Sequence, residues 1–323
     1  SCLMAFKRKV VFFIFALGLI SLILSVLWDS SSLCHLYQND MSGFKRGRDD
    51  FLKLPNIDCS RNAPFLVILV TSRLGQMEAW MAVRNTWGKE RVIAGKRIVT
   101  YFLLGNNSRP YDQIGIITEN ILYKDIIQKD FMDTYYNLTL KTLMGLEWIH
   151  KFCPQSTFVM KTDCDMFVNT YYLTELLLKR NSTTKLFTGA INMHGNPIRD
   201  VNSKWYVSKE EYPGENYPPF SSGTGYVLSI DVARAVYVVS KKIPFLKLED
   251  VFVGLCLAEL KIQPEELDSG PTFFASSIPF SPCHYKKIIT SHYHTPAQII
   301  LYWDAMERTI DEGCPSDQGS SPI

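Results

Sequence analysis

Charge of one sign is what this sequence lacks. Its 34 Lys and Arg almost balance 32 Asp and Glu, so no net field favours nucleic acid or an acidic partner. The eight cysteines contain no CxxC pair, which argues against a zinc-finger or zinc-ribbon site. An EF-hand is excluded as well. Downstream of Asp163, Phe167 and Val168 stand where a ligand and the turn glycine belong, and Thr174 replaces the bidentate Glu. No internal repeat is visible, and nothing marks a second domain boundary before the C-terminus. Aromatic residues, by contrast, are plentiful: 19 Phe, 16 Tyr and 6 Trp serve a deep core, with some left for a sugar-stacking surface.

One apolar run is long. Val10 to Trp28 spans 19 residues without a charge, close to the ~20 that cross a bilayer as a helix. Lys7, Arg8 and Lys9 precede it and Asp29 follows, so a cytoplasmic tail (1–9), a signal anchor (10–28) and a lumenal remainder are expected. The run is longer than a signal-peptide core and ends without a small-x-small site. Three sequons, at Asn106, Asn137 and Asn181, fit a lumenal domain. Seven cysteines follow the anchor, where disulfides form, and their odd number leaves at least one thiol over.

Residues 29–61 are polar and aperiodic and read as a stem. Beyond them, Phe65–Val70, Arg97–Leu104 and Thr157–Lys161 are apolar runs typical of strands buried on both faces. Helical spacing covers 76–87, 137–152 and 171–179. This alternation predicts an α/β domain over 62–310 with a largely parallel central sheet, followed by a tail, 311–323.

The sharpest chemical feature is Lys161-Thr162-Asp163-Cys164-Asp165, directly after a strand. In an extended segment Asp163 and Asp165 share a side, and two carboxylates at the carboxyl end of a strand suit Mg²⁺ or Mn²⁺ on substrate phosphates. Two solvated loop aspartates are the plain alternative. Glu249-Asp250 opens an apolar stretch and is either a helix-capping pair or a general base. Tyr217 to Tyr226 sets Gly223 and Gly225 among aromatics, as at a ligand cleft or a tight turn. His292 and His294 lie in a Ser-His-Tyr-His segment, where a structural role is equally available.

Read together, Arg84-Asn85-Thr86-Trp87-Gly88, Gln128-Lys129-Asp130-Phe131, Tyr136 to Thr142, Lys161 to Asp165, Pro218 to Tyr226 and Glu249 to Gly254 occur in an order that resembles the β-1,3-galactosyltransferase family (glycosyltransferase family 31). That family also holds β-1,3-N-acetylglucosaminyltransferases. The resemblance runs from about Phe51 to Trp303. It implies a GT-A fold, UDP-galactose as donor, Mn²⁺ or Mg²⁺, and inverting transfer to the 3-hydroxyl of a GlcNAc- or GalNAc-terminated glycan, by a type II Golgi membrane enzyme. It also implies roles: Asp163, Asp165 and His292 on the metal, Asp250 as base, and Arg84, Lys141 and Lys161 on the nucleotide sugar. Trp205, Phe220, Gly223, Gly225 and Glu249 fall to the acceptor. An N-acetylglucosaminyltransferase, or a non-catalytic lumenal relative, is the alternative.

Three positions depart from the family pattern. Cys164 stands between the aspartates, and its thiol is expected to face away from them. Ser221 and Ser291 replace cysteines, and their joint loss implies a disulfide present elsewhere in the family and missing here.

Overall fold

The computed structural model describes residues 50–107 and 110–314. The chain divides into two compact units, residues 1–52 and 53–323, and the second holds the central sheet. The expected tail, anchor and most of the stem, with residues 315–323, lie outside the described residues. Among the described residues no helix is long and apolar enough to cross a membrane.

The elements of the second unit run in order: β1 (Leu66–Thr71), α1 (Met77–Asn85), β2 (Arg91–Ile93), β3 (Lys96–Asn106), α2 (Pro110–Tyr123), β4 (Ile126–Met132), α3 (Leu138–Phe152) and β5 (Phe158–Asp163). Then come β6 (Phe167–Val168), α4 (Thr170–Lys179), β7 (Phe187–Asn192), β8 (Phe220–Ser229), α5 (Ile230–Ser240), α6 (Glu249–Glu259), α7 (Pro282–Tyr285), β9 (Thr290–Ser291) and α8 (Pro296–Glu312). The three apolar runs are indeed central strands. Leu66 to Val70 are covered on both faces, which is why every position there is apolar rather than every second one.

In this unit the sheet order is β4-β3-β1-β5-β8-β7, with β2 antiparallel on β3. The strands β4, β3, β1 and β5 run parallel, whereas β8 runs antiparallel to β5 and to β7. The expected largely parallel sheet is thus present, with an antiparallel wing. From β1 the chain steps outward through β3 and β4, then crosses to β5 on the other side of β1. Ligands in open α/β sheets bind at the carboxyl ends where the direction switches, here beyond Thr71 and Asp163, which are register partners.

Two fully buried tryptophans tie α1 to that edge: Trp80 donates to Ser72 Oγ at 2.6 Å, and Trp87 to the Met166 carbonyl at 2.9 Å. Among the described residues two disulfides form: Cys59 joins Cys153 and Cys283 joins Cys314. Cys59 lies in the segment read as stem, so the end of that segment is fastened to the domain. Cys164 and Cys256 are buried free thiols.

Candidate active site

A cavity of about 740 Å³ opens over the carboxyl ends of β1 and β5. Among the residues expected to act, Asp163, Asp165, His292, Asp250, Glu249, Lys141, Lys161, Trp205, Phe220 and Gly223 line it. Arg84 and Gly225 do not.

The two aspartates have different partners. Strand β5 ends at Asp163, and Asp165 lies in the turn beyond it, so the alternation that would align them stops between the two. Asp163 Oδ1 accepts from Lys161 Nζ at 2.8 Å and from the Thr71 hydroxyl. Asp165 Oδ2 stands 3.3 Å from His292 Nε2. Although burial opposes it, this pairing holds the Asp165 carboxyl below and the His292 imidazole above their ordinary values. Among the described residues, no three His, Cys, Asp or Glu side chains gather closely enough to hold a metal ion by themselves.

His292 sits beside Tyr293, whose φ of 63° is left-handed, a costly conformation for a bulky residue. Flanking amides hold it there: His292 N–H bonds the Ser276 carbonyl and His294 N–H the Asp165 carbonyl. His294 itself packs under the loop on Ser291 Oγ, at 3.0 Å.

Asp250 is in the first turn of α6, where the Val251 amide donates to its Oδ1 at 2.9 Å. Burial raises its carboxyl above the usual range despite that bond, which suits a proton acceptor near neutral pH. The indole N–H of Trp205 meets the Tyr135 hydroxyl at 3.1 Å, and the Lys204 ammonium lies 4.4 Å over the indole. Trp205 and Tyr135 are about half exposed and form a shelf on the cavity rim.

Several expectations need correction. Arg84 is not at the nucleotide: its guanidinium forks onto Asp125 at 2.8 and 2.9 Å, also binds Glu119, and lies 3.8 Å over the Tyr123 ring. Three charge-assisted bonds to these two acids join α1 to the end of α2. Gly225 is a packing glycine, since a Cβ there would stand 3.3 Å from Thr290 Cγ2. Glu249, expected at the acceptor, is 3 % exposed at the cavity wall, where its carboxylate accepts from the Tyr226 hydroxyl at 2.7 Å. The ammoniums of Lys141 and Lys161 are occupied too. Lys141 donates to Asp133 at 2.8 Å and to the Ser72 carbonyl. Cys164 behaves as expected of an inert thiol: it contacts Gln76 Oε1 at 3.5 Å, and burial pushes its pKa to about 11. The two departing serines have separate partners, Ser221 Oγ the Ser222 carbonyl and Ser291 Oγ the Tyr285 hydroxyl.

Arg73, Tyr135, Lys204, Lys247 and Tyr293, which the sequence does not single out, also line the cavity. Arg73 was findable: it follows β1 just as Asp165 follows β5, at the same sheet edge. The others come from loops without periodicity.

Comparisons with known proteins give the family. A family model described as Galactosyltransferase matches residues 79–268, and the chain belongs to the galactosyltransferase family; it is a galactosyltransferase. It is 54% identical over 273 residues to Beta-1,3-galactosyltransferase 5 of Mus musculus, covering 84% of this chain and 89% of that one. It is 56% identical over 266 residues to Beta-1,3-galactosyltransferase 5 of Homo sapiens, 82% of this chain and 86% of that one. Against Beta-1,3-galactosyltransferase 2 of Homo sapiens the identity is 44% over 260 residues, covering 79% and 62%. Among solved structures, the apo bifunctional glycosyltransferase WbbM matches at a TM-score of 0.41 and 13% identity, over 77% of this chain and 50% of that chain.

Proposed function

We propose that this enzyme moves galactose from UDP-galactose to the 3-hydroxyl of a terminal GlcNAc or GalNAc on glycoproteins and glycolipids. The transfer inverts the anomeric centre, needs a divalent cation, and takes place on a GT-A scaffold facing the Golgi lumen as a type II membrane protein. Of the three sequons, Asn181 is the exposed one and the best candidate to carry a glycan. The observation that carries the reading is that one cavity joins an Asp165–His292 pair at the sheet edge to a half-buried carboxylate, Asp250, on a separate helix.

A divalent cation fits the first half. His292 Nδ1 is 3.1 Å from the Ala275 carbonyl, a contact that requires N–H there, so that Nε2, once it gives up its proton, turns a lone pair toward the Asp165 side. Metal-bound histidines show this outward bond. The 3.3 Å between the two ligand atoms is close to the ~3 Å that separates neighbouring ligands about a cation with ~2.1 Å bonds. Asp165 and His292 would hold Mn²⁺ or Mg²⁺, with Asp163 behind them. Charge points the same way: five Lys or Arg and five Asp or Glu line the cavity, so its walls carry no net positive charge to offset a diphosphate. A cation held by Asp165 and His292 would supply that offset.

The protein's own groups do the rest. Arg73, an exposed cation at the end of β1, lies where it can bear on the phosphates. The Trp205–Tyr135 shelf offers an apolar face to the acceptor ring. Asp250 takes the proton of the attacking hydroxyl, and attack from the side opposite the leaving group inverts the centre. No covalent intermediate is needed.

The test is transfer from radiolabelled UDP-galactose by the purified full chain, with Mn²⁺ or EDTA, on GlcNAcβ and GalNAcβ acceptors. Metal-dependent galactose transfer supports the reading. Transfer from UDP-GlcNAc instead would replace the donor, and a folded protein that binds no UDP would overturn the assignment.

A further inference from the structure

A base at a helix end swings unless something aims it. The Val251 amide bonds the Asp250 carboxylate, and Gly223 on β8 stands against Asp250 from across the cavity wall, close enough that a Cβ there would lie 3.6 Å from Asp250 Cβ. Gly223 is itself gripped, because its carbonyl accepts the Lys161 ammonium.

Lys161 has no freedom to do anything else. Its side chain is 2% exposed, and its Nζ lies 2.8 Å from Asp163 Oδ1 and 3.6 Å from Glu249 Oε2. An ammonium has three donors; two of them meet Asp163 and the Gly223 carbonyl, and the Glu249 carboxylate stands beside the charge. Glu249 is equally committed: its side chain is 1% exposed, Oε1 takes the Tyr226 hydroxyl, and Oε2 has no hydrogen-bond donor of its own. A carboxylate oxygen in that state is costly to bury unless a cation stands beside it. The geometry also explains the glycine: a Cβ at 223 would lie 3.0 Å from Glu249 Oε2 and 3.6 Å from Asp250 Cβ.

We infer that Glu249 and Lys161 form a buried positioning pair, in which Glu249 holds the Lys161 ammonium on the Gly223 carbonyl and Gly223 thereby aims Asp250 at the acceptor hydroxyl. This rests on Asp250 acting as the base. It reassigns Lys161 from the nucleotide and Glu249 from the acceptor to the orientation of the reacting group, and it predicts an effect on turnover without one on nucleotide binding.

The test is Glu249→Gln, which keeps the shape and an oxygen for Tyr226 while removing the charge, with Tyr226→Phe as the milder companion. For the full chain, kcat, the KM of the acceptor, UDP affinity with Mn²⁺ by calorimetry, and the melting temperature are measured. A misaimed group loses about tenfold to a hundredfold in rate, so kcat of Glu249→Gln falls by that much. UDP affinity stays within about twofold, the pattern of an interaction felt only in the transition state. Tyr226→Phe gives a smaller fall of the same kind and carries the test if the first variant does not fold. UDP affinity lost in step with kcat would return the pair to the nucleotide subsite and overturn the inference, as would an unchanged kcat in both variants. A wild-type protein that binds UDP but transfers no galactose fails before any variant is made; it overturns the functional reading and the positioning role with it.

Discussion

Replacing Arg84 by Ala separates what its motif implies from what its surroundings do. If Arg84 served the nucleotide, its loss would weaken UDP binding and leave the fold alone. The structure argues the reverse. The side chain is 9% exposed and faces two carboxylates that are themselves 16% and 12% exposed, Asp125 and Glu119. Removing one partner of such a pair strands the others, at about 3–5 kcal/mol for a fully buried group. Residual water around both acids argues for the lower end, about 3 kcal/mol. The ring contact with Tyr123 adds a fraction of this. For a unit of this size, each kcal/mol shifts the melting temperature by roughly 2–4 °C, so a fall of about 6–12 °C is expected. The assay is thermal and urea unfolding of wild type, Arg84→Ala and Arg84→Lys, beside UDP calorimetry with Mn²⁺. Arg84→Lys keeps the charge but not the fork and falls in between. UDP affinity is unchanged in both. A loss of UDP affinity of about tenfold (~1.4 kcal/mol) with an unshifted melting temperature would refute the reasoning.

Other outcomes follow from the same geometry. Asp250→Asn keeps an oxygen for the Val251 amide but cannot take a proton, so kcat drops by about 10²–10⁴ with UDP affinity intact, as read by initial rates and calorimetry. Because burial raises the Asp250 carboxyl, and the base works deprotonated, wild-type kcat is lost as pH falls through a value above the ordinary ~3.9 of Asp; the pH–rate profile of the wild type should show that limb. Arg73→Ala raises the KM for UDP-galactose about tenfold or more, the worth of one charge-assisted bond, and leaves the acceptor KM unmoved in steady-state kinetics. Cys59→Ser opens a bridge across 94 residues and costs about 2–5 kcal/mol in urea unfolding, without changing kcat at low temperature.

How far the sequence could be read depended on range. The central strands were legible because burial on both faces writes itself as an unbroken apolar run, as at Leu66–Val70. Sites at strand ends were legible for the same reason: the end of β5 puts Asp163 and Asp165 at the sheet edge whatever the rest of the chain does. Arg73 obeys that rule and simply went unused. The roles of Arg84, Glu249, Lys161 and Gly225 were not legible. Each sits in a motif of the right family, but a motif fixes where a residue falls along the chain, not which way its side chain turns once elements pack. Arg84 points at α2 because that helix ends beside α1, and Glu249 points inward because Tyr226 and Lys161 wait under α6.

The sequence by itself therefore determined the α/β alternation, the family, and which strand ends carry the acids, since these follow from periodicity and from neighbours along the chain. Only the tertiary structure decided which acids work together. It separated Asp163 from Asp165 by ending the strand between them, and brought His292 to Asp165 and Gly223 to Asp250 across long stretches of chain. Those pairings depend on how β8, α6 and the loop after β9 pack over one sheet edge, a property of the whole fold that no local stretch of residues encodes.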